Sequence, residues 1–135
     1  QNKLANIEAQ EIRYEESFIE DAEVVVVAFG TAARVAGTAV KTLRKANVPV
    51  GMIRPITLWP FPEKRLAQLA DRAKAFLVVE MNAGQMLHDV REAVGRNVPV
   101  EFLGRMGGLI PFTDEIEQEI QTIWRRTEVL ALHRP

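Results

Sequence analysis

The run "EVVVVAFG", Glu23 to Gly30, constrains this chain more than any other stretch. Its apolar residues do not alternate with polar ones, so a strand built from it has no solvent face. A strand of that kind belongs at the centre of a parallel sheet, covered on both sides. "TAARVAGTAVKTLRKAN" follows at once. Val35, Ala39, Val40 and Leu43 recur at helical spacing, and Thr31 is the expected N-cap. Lys41, Arg44 and Lys45 fall in the last turns, where cations suit the helix dipole.

The same alternation then repeats along the chain. Strands are expected at Val48–Ile53, Ala75–Glu80 and Val98–Gly104, each an apolar run bounded by turn residues. "PEKRLAQLADRA" reads as a short helix with Pro62 at its first turn. "GQMLHDVREAVG" reads as a helix with Met86, Val90 and Val94 on one face and Gly95 as its stop. "TDEIEQEIQTIWRR", Thr113 to Arg126, is the last helix, with Thr113 as its cap, acids in its first turns and arginines at its end. Strand and helix thus alternate four times, which predicts a parallel sheet with helices on both faces and right-handed crossovers. "QEIRYEE" has the charges of an edge strand. "NKLANI" reads as the end of a preceding helix, and a start on Gln1 rather than Met reads as an excised domain or a processed product.

Composition narrows the chemistry. At 135 residues the chain is one domain with a single core, and 47% hydrophobic with 26% charged residues is ordinary globular usage. A net charge of −1 gives no electrostatic footprint for nucleic acid. No apolar run reaches the length of a membrane span, and no signal peptide opens the chain. Cysteine is absent, which removes disulfides, thiolate metal sites, cysteine nucleophiles and iron–sulfur ligation together. His88 and His133 are the two imidazoles and lie far apart, so no metal site and no catalytic residue is assigned.

In an open α/β sheet, ligands bind beyond the carboxyl ends of the strands. The loops expected there are "GTAAR", "RPITLWPFP", "EMNAGQ" and "GRMGG". The first places Thr31 and Arg34 at a helix N-terminus, a position able to hold an anion. It carries neither GxGxxG nor a P-loop, so Thr31 is read as a cap and Arg34 as paired with a nearby carboxylate. Glu80, Asn82, Gly84 and Gln85 follow the third long strand. Glu80 could act as a base if burial raised its pKa. Ion pairing with Arg54 or Arg105 is the preferred reading, and Gly84 is expected to adopt a backbone conformation closed to side chains. Gly104, Gly107 and Gly108 form a cluster around Arg105 that allows close backbone approach. In "GMIRPITLWPFPEKRL", Trp59 and Phe61 stand among three prolines, either as a docking surface or as a packed corner.

Taken together, "YEESFIEDAEVVVVAFGTAAR", "VPVGMIRPITLWPFPEKRL", "LVVEMNAGQM" and "VPVEFLGRMGG" resemble the alpha subunit of 2-oxoacid:ferredoxin oxidoreductases of the 2-oxoglutarate or branched-chain type. The resemblance is to its C-terminal domain, shared with transketolase, and runs from about Glu16 to Ile120. Met106 stands where the family motif has proline. The resemblance implies a three-layer α/β/α sandwich with a five-stranded, mainly parallel sheet in the order 1-3-2-4-5. Strand 1 is then antiparallel at the edge, which places "QEIRYEE" beside "VPVGMI". It implies a linker and edge region over 1–15, the α/β domain over 16–126 and a tail over 127–135. It implies an enzyme that decarboxylates a 2-oxoacid, expected to be 2-oxoglutarate, onto coenzyme A and passes electrons to ferredoxin. That enzyme would use thiamine diphosphate, Mg2+ and iron–sulfur clusters, none held by this chain. The partners implied are an upstream thiamine-binding domain, a beta subunit and ferredoxin, in the cytoplasm, with a homo-oligomer allowed. The chain itself would be a structural and assembly domain. Against this stand a small-anion or coenzyme-binding regulatory domain, with ligand at the "GTAAR" and "NAGQ" helix starts, and a free-standing flavodoxin-like protein, which lacks a phosphate-cradling loop.

Overall fold

The computed structural model describes residues 12–57, 60–81, 84–104 and 111–133. Within them five strands form one sheet: β1 (Tyr14–Ser17), β2 (Val24–Ala28), β3 (Val50–Pro55), β4 (Ala75–Glu80) and β5 (Val100–Gly104). The order is β1-β3-β2-β4-β5, with β1 antiparallel to β3 and every other pair parallel. The described helices are α1 (Thr31–Lys45), α2 (Glu63–Ala70), α3 (Gln85–Val94) and α4 (Thr113–Leu132). Both the order and the antiparallel edge match the expectation.

Every residue of β2 is buried, as its unbroken apolar run requires. Val24, Val26 and Ala28 face α1 and α4, packing with Ala36, Val40, Leu43, Ile116, Ile120 and Ile123. Val25 and Val27 face the other way, with Phe76 and Val78 of β4, Leu66 and Leu69 of α2, and Met86 and Val90 of α3. The alternation of side chains along each strand therefore feeds two separate cores, one per face. Each fully buried aliphatic side chain contributes roughly 1.5–3 kcal/mol.

The corner between β1 and β2 is fixed by Arg44 at the end of α1. Its Nε donates to the Val50 carbonyl at 2.7 Å, and its terminal nitrogens donate to Asp21 and to the Phe18 carbonyl at 2.8 Å. The hydrogen bonds from Arg44 hold the Asp21 carboxyl below its ordinary value. Phe18 has φ 55°, strained for a residue with a side chain. Gly51 admits this corner, because a Cβ there would lie 2.5 Å from the Phe18 carbonyl oxygen.

Two helix starts differ from expectation. Gly30, not Thr31, is at the N-cap of α1, and Phe112, not Thr113, is at that of α4. Neither helix start carries a side-chain cap bond from its N-cap residue. The Glu115 carboxylate accepts instead from the Phe112 N–H at 2.9 Å. Helix α4 also continues past Arg126 to Leu132, with His133 as its C-cap. "TEVLAL" carries no glycine or proline to stop it, and two arginines favour a helix end without enforcing one.

Candidate functional site

The parallel strands all point one way, so their carboxyl ends share one edge of the sheet. Chain order reverses across the middle: β2 leads through α1 to β3 on one side, and β4 leads through α3 to β5 on the other. The two helices pack on opposite faces. This opens a crevice between the ends of β2 and β4, the place where open α/β sheets hold ligands. Its walls among the described residues are Phe29–Thr31 on one side, and Glu80, Met81, Gly84 and Gln85 on the other.

One wall is closed by the chain itself. The Glu80 carboxylate accepts from the Met86 N–H at 2.8 Å and the Leu87 N–H at 3.4 Å. Those are orphan donors of the first turn of α3, and the carboxylate sits where an external anion would bind. Gly84 makes the turn that brings the helix start back over Glu80, with φ 90° and ψ 22°. Gln85, the first residue of α3, is exposed. The ion pair expected for Glu80 with Arg54 is absent. Arg54 donates to Glu15 across the β1–β3 pair at 3.2 Å, because the antiparallel register sets these residues opposite each other.

The other wall is open. Thr31 is exposed in the first turn of α1, and no acidic residue lies in that turn. Arg34 is exposed and pairs with no carboxylate among the described residues, contrary to expectation, because no acidic residue stands near it on α1. Phe29 and Ile56, just past β2 and β3, remain 37% and 39% exposed. Sequence reasoning missed both. Phe29 was absorbed into the apolar run that marks β2, and only its place after Ala28 separates it from the strand.

The remaining expected positions divide. Phe61 is 8% exposed and packs in the core that α2 and α3 cover, so this part of the proline tract is a packed corner. An open groove of about 460 Å³ lies beside it, lined by Ile12, Tyr14 and Pro60–Arg65. Gly104 ends β5, where a Cβ would come within 2.9 Å of the Glu80 carbonyl oxygen and 2.6 Å of the Phe102 ring. Trp59, Asn82, Arg105, Gly107 and Gly108 lie outside the described residues.

Among the described residues no group of three or more His, Cys, Asp or Glu could hold a metal ion. His88 is exposed and lies 3.2 Å from Glu92 one turn on. The His133 ring donates to the Val129 carbonyl at 2.8 Å. The described loop residues bring no nucleophile and base together. What they form is a closed crevice wall, and next to it an open corner with aromatic, aliphatic and cationic side chains.

Residues 22–116 match the model of the pyruvate:ferredoxin oxidoreductase core domain II. The chain is 50% identical over 119 residues to the ketoisovalerate oxidoreductase subunit VorB of Methanothermobacter thermautotrophicus, covering 87% of this chain and 34% of that protein. It is 35% identical over 119 residues to the 2-oxoglutarate synthase subunit KorA of Methanothermobacter marburgensis, covering 88% of this chain and 32% of that protein. The chain therefore spans about a third of the length of these relatives. Among solved structures, a 2-oxoglutarate:ferredoxin oxidoreductase from Magnetococcus marinus superposes with a TM-score of 0.77 at 22% identity, over 91% of this chain and 22% of that one. A split-gene transketolase superposes with a TM-score of 0.69 at 20% identity, over 84% of this chain and 41% of that one. These two likenesses establish the transketolase-like fold. The family match covers most of the chain, and the chain belongs to the pyruvate:ferredoxin oxidoreductase core domain II family, a domain of 2-oxoacid:ferredoxin oxidoreductase subunits.

Proposed function

We propose that this chain is the non-catalytic assembly domain of the alpha subunit of a 2-oxoacid:ferredoxin oxidoreductase. The observation that carries the reading is the Glu80 carboxylate on the first N–H groups of α3. It closes the half of the crevice where an anionic coenzyme group would bind, and leaves that edge suited to packing. The whole enzyme would oxidatively decarboxylate a 2-oxoacid onto coenzyme A and pass the electrons to ferredoxin.

The donor set agrees with a division of labour. Iron–sulfur clusters need thiolates, and the chain has no cysteine. Mg2+ with thiamine diphosphate needs convergent oxygen ligands, and the described residues do not assemble them. The described residues do not fit these groups, and the proposed division gives their sites to an upstream thiamine-binding domain and a beta subunit. Among the described residues no helix is long and apolar enough to cross a membrane; the cytoplasm is the location that goes with the proposed complex.

For the substrate, the branched-chain 2-oxoacid is the better supported. Identity to two ketoisovalerate subunits is 50% and 46%, against 35% and 39% to two 2-oxoglutarate synthase subunits. The 2-oxoglutarate expected from sequence is the second reading. Dye-linked assay of the whole complex with coenzyme A separates them. Higher kcat/KM with 2-oxoisovalerate is expected, and higher kcat/KM with 2-oxoglutarate reverses the order. Calorimetric titration of this chain with coenzyme A, thiamine diphosphate and 2-oxoacids tests the non-catalytic role. No saturable heat is expected, whereas micromolar binding of any of them would favour a coenzyme-binding regulatory domain.

A further inference from the structure

The edge strand β1 is attached differently from its neighbours. Three of its residues are exposed and Ser17 is half-buried, so none of its side chains joins either hydrophobic core. What holds it is backbone pairing with β3 and two ion pairs. Glu15 meets Arg54 of β3 at 3.2 Å, and Glu16, on the opposite face of the strand, meets Arg65 of α2. The side chains of both pairs reach water, so each pair is weak and screened by salt. Arg54 adds a cost to the closed state, because its Nε is buried without an acceptor.

The residues that follow β1 are pinned instead. Ile19 and Ala22 are buried in the core that α2 and α3 cover. Arg72 donates to the carbonyls of Glu20 at 2.5 Å and Ile19 at 3.2 Å, and Arg44 donates to that of Phe18. The Arg44 guanidinium also sits 5.4 Å from the centre of the Phe18 ring. The Ala22 N–H donates to the Ile19 carbonyl at 3.2 Å, and the Glu23 N–H to that of Pro49 at 2.8 Å. Between the weakly held strand and this corner stands Phe18, with φ 55°, a costly backbone for a residue with a side chain. Its φ turns the chain before it relative to the carbonyl that Arg44 holds. Release of β1 therefore lets that dihedral relax with the corner still in place.

We infer that β1 is a strap that opens as a unit about Phe18 while the corner and both cores stay folded. Its closed state is held by the Glu15 and Glu16 carboxylates, and opposed by the strained Phe18 backbone and the orphaned Arg54 nitrogen. Opening leaves the outer edge of β3 unpaired. It also widens a groove of about 290 Å³, lined by Ser17, Phe18 and Met52 together with Arg34, Thr38 and Lys41 of α1. The device is electrostatic: ionic strength and the charges at positions 15 and 16 set how often the strap is open.

The test is hydrogen exchange at residue resolution on the full-length subunit in its complex. The Ile56 N–H donates to the Arg13 carbonyl, next to β1, at 2.9 Å, so it reports the strap, while the Ala22 and Glu23 amides report the corner. Relative to unprotected rates, Ile56 is expected to exchange at least about tenfold faster than Ala22 and Glu23. Its rate should rise about threefold or more between about 0.05 and 0.5 M NaCl, as the ion pairs are screened. Low urea should change it little, since local opening exposes little surface. Glu15→Gln with Glu16→Gln should raise it about threefold or more and remove most of the salt response. The wild-type response to salt and urea decides the matter even where the double variant fails to assemble. Exchange of Ile56 in step with the core, a rate indifferent to salt and to the paired substitution, or acceleration that spreads to Ala22 and Glu23 would overturn the proposal.

Discussion

The Glu80 carboxylate lies 2.8 Å from the Met86 N–H, so one side chain does for α3 what a bound anion does at other helix starts. Two effects are combined there: an orphan donor is satisfied and a negative charge faces the positive end of the helix. Glu80→Ala removes both and should destabilise the domain by about 1–2 kcal/mol. Glu80→Gln keeps an oxygen acceptor and loses only the charge, for roughly 0.3–1 kcal/mol. Urea denaturation gives the stabilities, and hydrogen exchange at Met86 and Leu87 gives the location. Equal losses in the two variants, or unchanged exchange at those amides, would show that Glu80 does not cap the helix. The sequence placed Glu80 at a strand end and preferred an arginine to the loop amides as its partner; Arg54 bonds Glu15 instead, and Arg105 lies outside the described residues. Charge and order along the chain offer Arg54 as readily as an amide, and only the turn at Gly84 decides that the helix start comes back over the carboxylate.

At the scale of elements, α4 is tied to the amino-terminal ends of β2 and β4 by a small polar network. Lys74 Nζ lies 3.0 Å from Glu23 and 3.6 Å from Glu128, and Trp124 Nε1 donates to Glu23 at 3.4 Å. Burial alone would raise the Glu23 carboxyl, but its hydrogen bonds, with Lys74 foremost, bring it below its ordinary 4.5. Lys74 is raised above its ordinary 10.5, chiefly by its hydrogen bond to Glu23. A depressed carboxyl contributes stability above its unfolded value and loses it as pH falls through its folded value, so the acid limb lies below 4.5. A raised ammonium contributes below its unfolded value and loses it as pH rises through its folded one, so the alkaline limb lies above 10.5. Between pH 6 and 9 the network is therefore constant. Lys74→Met should lower stability across that plateau and flatten both limbs, read as urea midpoints against pH. Unaltered limbs would mean that other groups set them. None of this network was legible in the sequence. Glu23, Lys74 and Glu128 are far apart along the chain, and the alternation that predicts the strands is silent about which of their flanking charges meet. The elements themselves were legible because each solves one problem with one pattern: β2 through β5 are apolar runs, and the helices carry apolar residues at helical spacing. Helix starts were less so, since Gly30 and Phe112 bring no side-chain oxygen to mark them.

The two faces of the sheet are each closed by helices drawn from this chain, so the domain has the parts it needs to fold alone. In isolation it should unfold in one cooperative urea transition, with an m-value of about 1–2 kcal/mol/M. The far end of α4 behaves differently. Val129, Leu130 and Leu132 are 53%, 59% and 82% exposed, so the last turns are apolar on several sides while contributing little to the core. A helix that is apolar all round is normally covered, and here the described residues of its own domain do not cover it. Val129→Glu with Leu132→Glu should therefore leave the urea midpoint within about 0.5 kcal/mol of the parent, as for other exposed positions. The same pair should reduce concentration-dependent self-association of the isolated chain in sedimentation equilibrium. A loss of stability well above about 1 kcal/mol would place these side chains in the domain's own packing, because burial of that size is what an aliphatic side chain contributes when it leaves water. Undiminished association would mean that another exposed apolar side chain carries it, such as Phe112 or Phe18.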